Sequence, residues 1–420
     1  MNESLKFYGA DVFELIQNYG TPLYIVSEDY IRERCAEIRE TFTGKYPDTR
    51  AVYASKAFQT LDMCRIINSE GLGFDVVSGG ELYAALKAGA NPEHIIFHGN
   101  SKTVWELEEA LDAKVGTIVV DNMSELELLN EVAGRAGVEQ KILLRITPGV
   151  DSHTHQYIST GQSDSKFGFS VEEALNVAVE RALKSEHIDL YGIHFHIGSQ
   201  LSENDSHVMA VKIILELLGK LKEKYGFTAR ELNCGGGFGV HYAGDPERLP
   251  ISAFTDEMMK LIDEFYESIE DKRPTVIIEP GRWIVSEAGI TVYEVGAVKT
   301  NAAGRTYIGV DGGMSDNPRV ALYDAKYEVT AVEKYGEECT EKVTIAGKCC
   351  ESGDILAWDV MLPPLKRGEH LALLCTGAYN FSMACNYNKL PRPAVVTVTN
   401  GNPRLSVRRQ TYEDMLIGEI

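Results

Sequence analysis

Residues 51–60 read AVYASKAFQT. A short apolar run ends on Ser55-Lys56, and the chain then turns helical. An ordinary lysine keeps its ammonium in water. A lysine at the carboxyl end of a buried strand is placed for chemistry when many such ends face one mouth. The same kind of run recurs along the chain. FDVVSGG (74–80), IIFHGN (95–100), TIVVDN (117–122), KILLRITP (141–148), LYGIHFHIG (190–198), LNCGGGFG (232–239) and TVIIEPGRW (275–283) each carry apolar residues into a polar or glycine-rich tip. With AVYASK (51–56) they make eight. Between them lie GGELYAALKAG, SELELLNEVAGRAG, SVEEALNVAVERALKS and HVMAVKIILELLGKLKEKYG, with apolar residues at helical spacing. Eight strand–helix units in about 250 residues predict a (β/α)₈ TIM-type barrel, whose polar tips line one mouth.

After about Val285 the rhythm changes. TVYEVGAVKT, TYIGVDGG, KYEVTAVE, EKVTIAGKC, GDILAWDVML, HLALLCTGAY and AVVTVTNG alternate and are rich in β-branched residues. That pattern predicts a second, mainly antiparallel β domain, sandwich- or barrel-like. TPLYIVS (21–27) is also strand-like; it either joins the β domain or caps the barrel. The expected division is a barrel over 27–285 and a β domain over 1–26 plus 286–420.

Composition narrows the function classes. The 420 residues carry 41 basic and 62 acidic side chains, a net charge of −21. Such a chain repels nucleic acid and anionic membrane surfaces, so neither is an expected partner. No long apolar span and no basic-then-apolar leader stand out, so a cytoplasmic location is expected. The eight cysteines are scattered without a CxxC pair, and neighbouring Cys349-Cys350 side chains point apart, which suits reduced thiols.

The strand tips supply the chemistry. Gly235-Gly236-Gly237 in CGGGFG expose bare backbone N–H groups that can wrap an anion, commonly a phosphate on a late barrel strand. A plain glycine turn is the alternative. Glu279 in EPGR is costly inside a mouth unless paired; it could face a protonated ring nitrogen or form an internal salt bridge with Arg282. His194 and His196 share a strand face. With His153 and His155 they could hold a metal, but no acidic residue adjoins either pair and no HExxH occurs. No metal is expected. An imidazole stacked on a flat cofactor, with Ser199 as a hydroxyl donor, suits the motif better. A reactive lysine, a phosphate loop, a carboxylate for a ring nitrogen and a stacking histidine together describe pyridoxal 5'-phosphate, with Lys56 forming the Schiff base.

These motifs, in this order, resemble the fold-type III pyridoxal-phosphate decarboxylases, an alanine-racemase-like fold, and within them the diaminopimelate decarboxylase family. The resemblance rests on YASKA at Lys56, FDVVSGGEL (74–82), DSKFGF (164–169), HFHIGSQ (194–200), CGGGFG (234–239), EPGR (279–282), NPRVALYDA (317–325), CCESGDIL (349–356) and TGAYNFSMACNYN (376–388). It implies decarboxylation of meso-2,6-diaminopimelate to L-lysine and CO₂, the last step of lysine biosynthesis. It also implies a head-to-tail homodimer whose Cys-Glu-Ser-Gly-Asp segment completes the partner's site. By the same resemblance Lys56, His196 and Cys350 are catalytic, Cys350 as proton donor, with Cys349 turned elsewhere. Asp75, Ser199, Gly236, Gly237, Glu279, Gly281, Arg282 and Tyr379 join Lys56 and His196 around the cofactor. Arg282, Arg319 and Tyr323 hold the distal carboxylate of the substrate, Glu351 its distal ammonium, and Tyr379 lies near both substrate and cofactor. Lys166 is expected near the site, and the polar run 152–166 is expected to act as a lid. A sister decarboxylase acting on ornithine, arginine, carboxynorspermidine or a carrier-linked amino acid is the nearest alternative. A racemase, a barrel-only pyridoxal-phosphate carrier and a metal-dependent hydrolase fit the motifs less well.

Overall fold

The computed structural model describes residues 4–150 and 165–420. The expected lid lies, apart from its last two residues, outside them, as do His153 and His155. The chain divides into two compact units, 35–239 with 248–281, and 1–34 with 240–247 and 282–420.

The larger unit is the barrel. Its strands are β1 (Thr49–Ala54), β2 (Gly73–Val76), β3 (Ile95–Phe97), β4 (Thr117–Val120), β5 (Gln140–Thr147), β6 (Ile188–Phe195), β7 (Glu231–Asn233) and β8 (Thr275–Ile278). All neighbours pair in parallel, β8 returns to β1, and a β5–β6 pairing closes the ring. Strands buried on both faces read as continuous apolar runs, which is why each was legible. Val52, Ile96, Val119, Leu143 and Ile277, from five different strands, form one packed cluster.

Helix caps sit directly on the strand tips. Thr60 accepts the Met63 N–H at 3.0 Å and opens α1 (Leu61–Ser69). Ser78 opens α2 (Gly79–Lys87), and Asn122 opens α4 (Met123–Ala136). Thr103 and Glu106 form a capping box on α3 (Val104–Asp112). These caps satisfy orphan N–H groups and fix where each tip stops.

The smaller unit is a β sheet built mostly from the C-terminal third. Its strands are β9 (Gly289–Thr300), β10 (Thr306–Val310), β11 (Val329–Ala331), β12 (Glu341–Ala346), β13 (Ile355–Leu362), β14 (His370–Leu373), β15 (Ala394–Thr399) and β16 (Asn402–Val407). The strand Leu23–Ser27 pairs antiparallel with β9 and parallel with β15, so it joins this sheet. The pairing of β10 with β12 is also parallel; the sheet is mixed at these two places and antiparallel elsewhere. Ile25, Ile290, Val292, Ala372, Val396 and Val398 belong to its apolar core.

The units depart from the expected boundaries. The β unit takes residues to 34 and from 282, and it includes 240–247. Hydrogen bonds from Arg282 and Arg319 to Tyr242 show why these segments group together.

Candidate active site

Lys56 lies on the single 3₁₀ turn Ser55–Ala57 that follows β1, and its side chain is exposed. Asp75 is buried at 3% exposure near the end of β2. At the end of β8, Glu279 is 7% exposed. Its Oε1 lies 2.7 Å from His98 Nε2 and accepts a hydrogen bond from Asn233 Nδ2 at 2.6 Å. Its Oε2 lies 3.3 Å from His194 Nε2. Burial alone would raise the Glu279 pKa, but His98 and His194 outweigh it and hold the carboxyl well below the usual range. The Asp75 carboxyl, by contrast, is pushed up by burial.

His98, His194 and Glu279 bring ligand atoms within 4.8 Å of one another. Two imidazoles and a carboxylate could take a cation. The surroundings argue otherwise: Asn233 donates to the carboxylate, and the positive charge of Arg145 also reaches this cluster. Burial lowers the His194 pKa to about 4, so its ring is neutral at pH 7.

His196 is half-buried, and burial together with the Lys56 and Arg145 charges drives its pKa well below the ordinary value. Its Nδ1 accepts the Gly236 N–H at 3.4 Å. A neutral ring accepting at Nδ1 carries its proton on Nε2. Ser199 is exposed.

The glycine loop is tighter than a bare anion cradle. Gly235 N–H goes to Asn233 Oδ1 at 2.9 Å, and Gly236 N–H goes to His196. A Cβ on Gly236 would come 2.2 Å from the Glu279 carbonyl oxygen, and Gly237 has φ +103°. Backbone approach therefore demands these glycines, and Gly237 needs the left-handed region as well. Gly281 packs against Ala54 and Ala57.

His207 anchors the loop from the helix Asp205–Tyr225, with Nε2 3.2 Å from the Gly236 carbonyl oxygen and its ring stacked on Phe238 at 5.3 Å. Burial lowers its pKa to about 4. An unfolded chain takes up this proton near pH 6.5, whereas the folded one resists until about 4, so stability falls as pH drops through that window. This residue is expected to cost roughly 2 kcal/mol between pH 7.5 and 5. Urea unfolding of wild type and His207→Gln at both pH values checks it; equal pH dependence in the two would contradict it.

In the β unit, the Tyr242 hydroxyl accepts from Arg282 Nη1 at 2.8 Å and from Arg319 Nη1 at 3.0 Å. Arg319 is buried and also donates to the Tyr327 hydroxyl at 3.1 Å. The Arg282 guanidinium stands 4.7 Å over the Tyr379 ring, and Tyr379 holds φ +63°, a strained value for a non-glycine residue. Tyr323 is 64% exposed at the end of the helix Arg319–Tyr323, whereas Arg319 at its start is buried. Cys349 is buried, with its thiol pKa raised by burial, whereas Cys350 and Glu351 are exposed. Asp354 accepts the N–H groups of Met314 at 2.6 Å and Cys349 at 2.7 Å and so fixes this turn. All eight cysteines are free thiols.

The structure thus groups Asp75 and Glu279, sets His196 against the glycine loop, and joins Arg282 to Arg319. It leaves Tyr323, Cys350, Glu351 and Ser199 at the surface of their units, and Lys166 exposed over the Phe167 ring. Sequence reasoning missed His98, Asn233, Tyr242 and Tyr327. It also missed Lys102, whose buried Nζ bonds Glu125 at 2.7 Å and two carbonyls at neighbouring tips. His98 and Asn233 do lie at strand tips, a signal that could have found them; Tyr242 lies in an unpatterned segment, and Tyr327 sits in the alternating run KYEVTAVE, where a tyrosine reads as strand packing. No helix among the described residues is long and apolar enough to cross a membrane.

A family profile described as "Pyridoxal-dependent decarboxylase, pyridoxal binding domain" matches residues 28–286. The diaminopimelate decarboxylase of Bacillus subtilis is 47% identical over 413 residues, covering 98% of this chain and 94% of that protein. That of Staphylococcus aureus is 41% identical and covers 100% of this chain and 98% of its own. The solved diaminopimelate decarboxylase from M. jannaschii in co-complex with L-lysine superposes with a TM-score of 0.93 at 34% identity, covering 100% of this chain and 96% of that one. With so much of the chain matched at these identities, it belongs to the diaminopimelate decarboxylase family of pyridoxal-dependent decarboxylases.

Proposed function

We propose that the chain decarboxylates meso-2,6-diaminopimelate to L-lysine with pyridoxal 5'-phosphate. The observation that carries this reading is the ionised, buried Glu279 set among His98, His194 and Asn233 in the barrel that also bears Lys56. The donor set fits the cofactor: a carboxylate for a protonated ring nitrogen, a neutral imidazole to lie against a flat ring, and a lysine to hold the aldehyde. The buried Asp75 Oδ1, which makes no hydrogen bond among the described residues, is an acceptor available to such a cluster. Lys56, Asp75, His196, Ser199, Gly236, Gly237, Glu279, Gly281, Arg282 and Tyr379 would hold it. Bound there, it would supply the electron sink for the pair left when the carbon–carboxylate bond breaks and CO₂ leaves.

The protein does the rest. Glu279 stays ionised, so the proton it faces stays in place. His196 presents Nε2–H while Gly236 holds its other nitrogen. Cys350 gives its thiol proton to the carbon that lost CO₂ and regains one from solvent. Arg282 and Arg319 pair with the distal carboxylate, the Tyr323 hydroxyl donates to it as well, and Glu351 supplies a counter-charge for the distal ammonium. The exposure of Cys350, Glu351 and Tyr323 suits a homodimer in which each copy supplies this segment to the other. Free thiols suit the reducing cytoplasm.

Two variants test the assignments with meso-diaminopimelate as substrate. Arg319→Ala is expected to raise KM about 100-fold, the cost of losing a charge-assisted contact to a carboxylate. Cys350→Ala is expected to lower kcat about 100-fold or more as a lost general acid, whereas Cys349→Ala costs only stability, about 1–3 kcal/mol. Unchanged KM in the first, or equal loss of kcat in the two cysteine variants, would contradict these roles.

A further inference from the structure

Tyr242 lies in HYAGDPERLP (241–250), a segment with no apolar period and no known chemistry-bearing motif. Yet two guanidinium groups converge on its oxygen, from Arg282 at 2.8 Å and Arg319 at 3.0 Å. Each is a pure donor. A neutral phenol oxygen has two lone pairs, and both are taken. Its own proton must therefore go to Ser286 Oγ, 2.7 Å away. Ser286 in turn lies within reach of the Cys375 carbonyl at 3.5 Å. The direction of each bond is thus set by donor counting.

Electrostatics make the arrangement unusual. Like charges drawn to one neutral oxygen repel, and Arg319 is only 8% exposed. Among the described residues its side-chain partners are the two phenols of Tyr242 and Tyr327, neither a carboxylate. Tyr327 is itself held by Asn380 Nδ2 at 3.2 Å. A buried cation without an anion is costly, so Arg319 is placed to receive one. The aromatic body of Tyr242 packs edge-on against Tyr327, with ring centroids 5.9 Å apart, which fixes where the oxygen stands.

We propose that Tyr242 is a positioning residue for substrate choice: it locks Arg282 and Arg319 at one spacing and so sets the preference for an amino acid bearing a second, distal carboxylate. This rests on the reading that these arginines bind that carboxylate. Tyr242 does not touch the reacting carbon; it acts through the arginines.

The test uses the holoenzyme and Tyr242→Phe, which keeps the ring and its packing but removes the oxygen. The KM for meso-diaminopimelate is expected to rise about 10-fold with kcat changed less than about twofold, as one acceptor in a binding network is lost. The preference for meso-diaminopimelate over D-lysine, which keeps the reacting carboxylate but lacks the distal one, is expected to fall by the same factor, measured as the ratio of kcat/KM values. A purely structural role would instead lower kcat on both substrates alike, or lower Tm without altering their ratio. Arg319→Ala runs alongside. If it raises KM while Tyr242→Phe leaves KM and the ratio unchanged, the arginine reading stands and the role of Tyr242 is overturned. If Arg319→Ala leaves KM unchanged, the distal-carboxylate reading falls and the inference falls with it.

Discussion

Replacing Lys56 with alanine is expected to lower kcat for decarboxylation by about 10⁴-fold or more, the scale seen when a covalent catalytic group is deleted. The reason begins in the backbone. β1 ends at Ala54, the 3₁₀ turn Ser55–Ala57 carries Lys56 outward, and Thr60 at once caps α1. The lysine therefore leaves a rigid strand end rather than a long loop, and its ammonium is exposed while the residues on either side are buried. Its charge reaches His196, Asp75 and Glu81, which places it electrically among the other tips. The fold should survive, because an exposed side chain contributes little packing. The check pairs steady-state rates with the visible absorbance left after gel filtration: the variant should keep its Tm and lose the retained cofactor band. A variant that keeps both band and rate would remove Lys56 from its assigned role.

Glu279→Gln is expected to lower kcat by about 10²–10⁴-fold, as when a preorganised charge at a reacting centre is neutralised. The carboxylate is ionised because His98 and His194 overcome its burial. An amide keeps the shape and one acceptor but removes the charge, and its NH₂ must face either the Asn233 Nδ2 donor or an imidazole. Stability is expected to drop as well, by about 3 kcal/mol, because partners shaped around a buried charge lose it. Rates, the spectrum of the bound cofactor and urea midpoints together check this. Loss of stability with an unchanged rate would make Glu279 a structural anchor only.

Much of this was legible from residue pattern. Buried parallel strands show as unbroken apolar runs, so the barrel and the tips bearing Lys56, Asp75, His196 and Glu279 could be read directly. The allegiance of Leu23–Ser27 could not, because a five-residue apolar strand carries no record of its partners. The glycine loop was read as free N–H groups. Two of those groups are used by Asn233 and His196, since the side chain at the end of β7 folds back onto its own loop. His98 sits at a legible strand tip, but its role was not legible, because that role lies in closeness to Glu279, which the ring of strands creates across 181 residues of chain. Tyr242 is hidden for the same reason: only the fold brings Arg282 and Arg319 to it.

The most direct test of the central claim is amino-acid analysis of the products when the purified protein, loaded with pyridoxal 5'-phosphate, is offered meso-diaminopimelate, ornithine and arginine in parallel. The structure predicts L-lysine and one equivalent of CO₂ from meso-diaminopimelate, with far slower turnover of the other two. Equal or faster release of CO₂ from ornithine or arginine, with meso-diaminopimelate left intact, would contradict it.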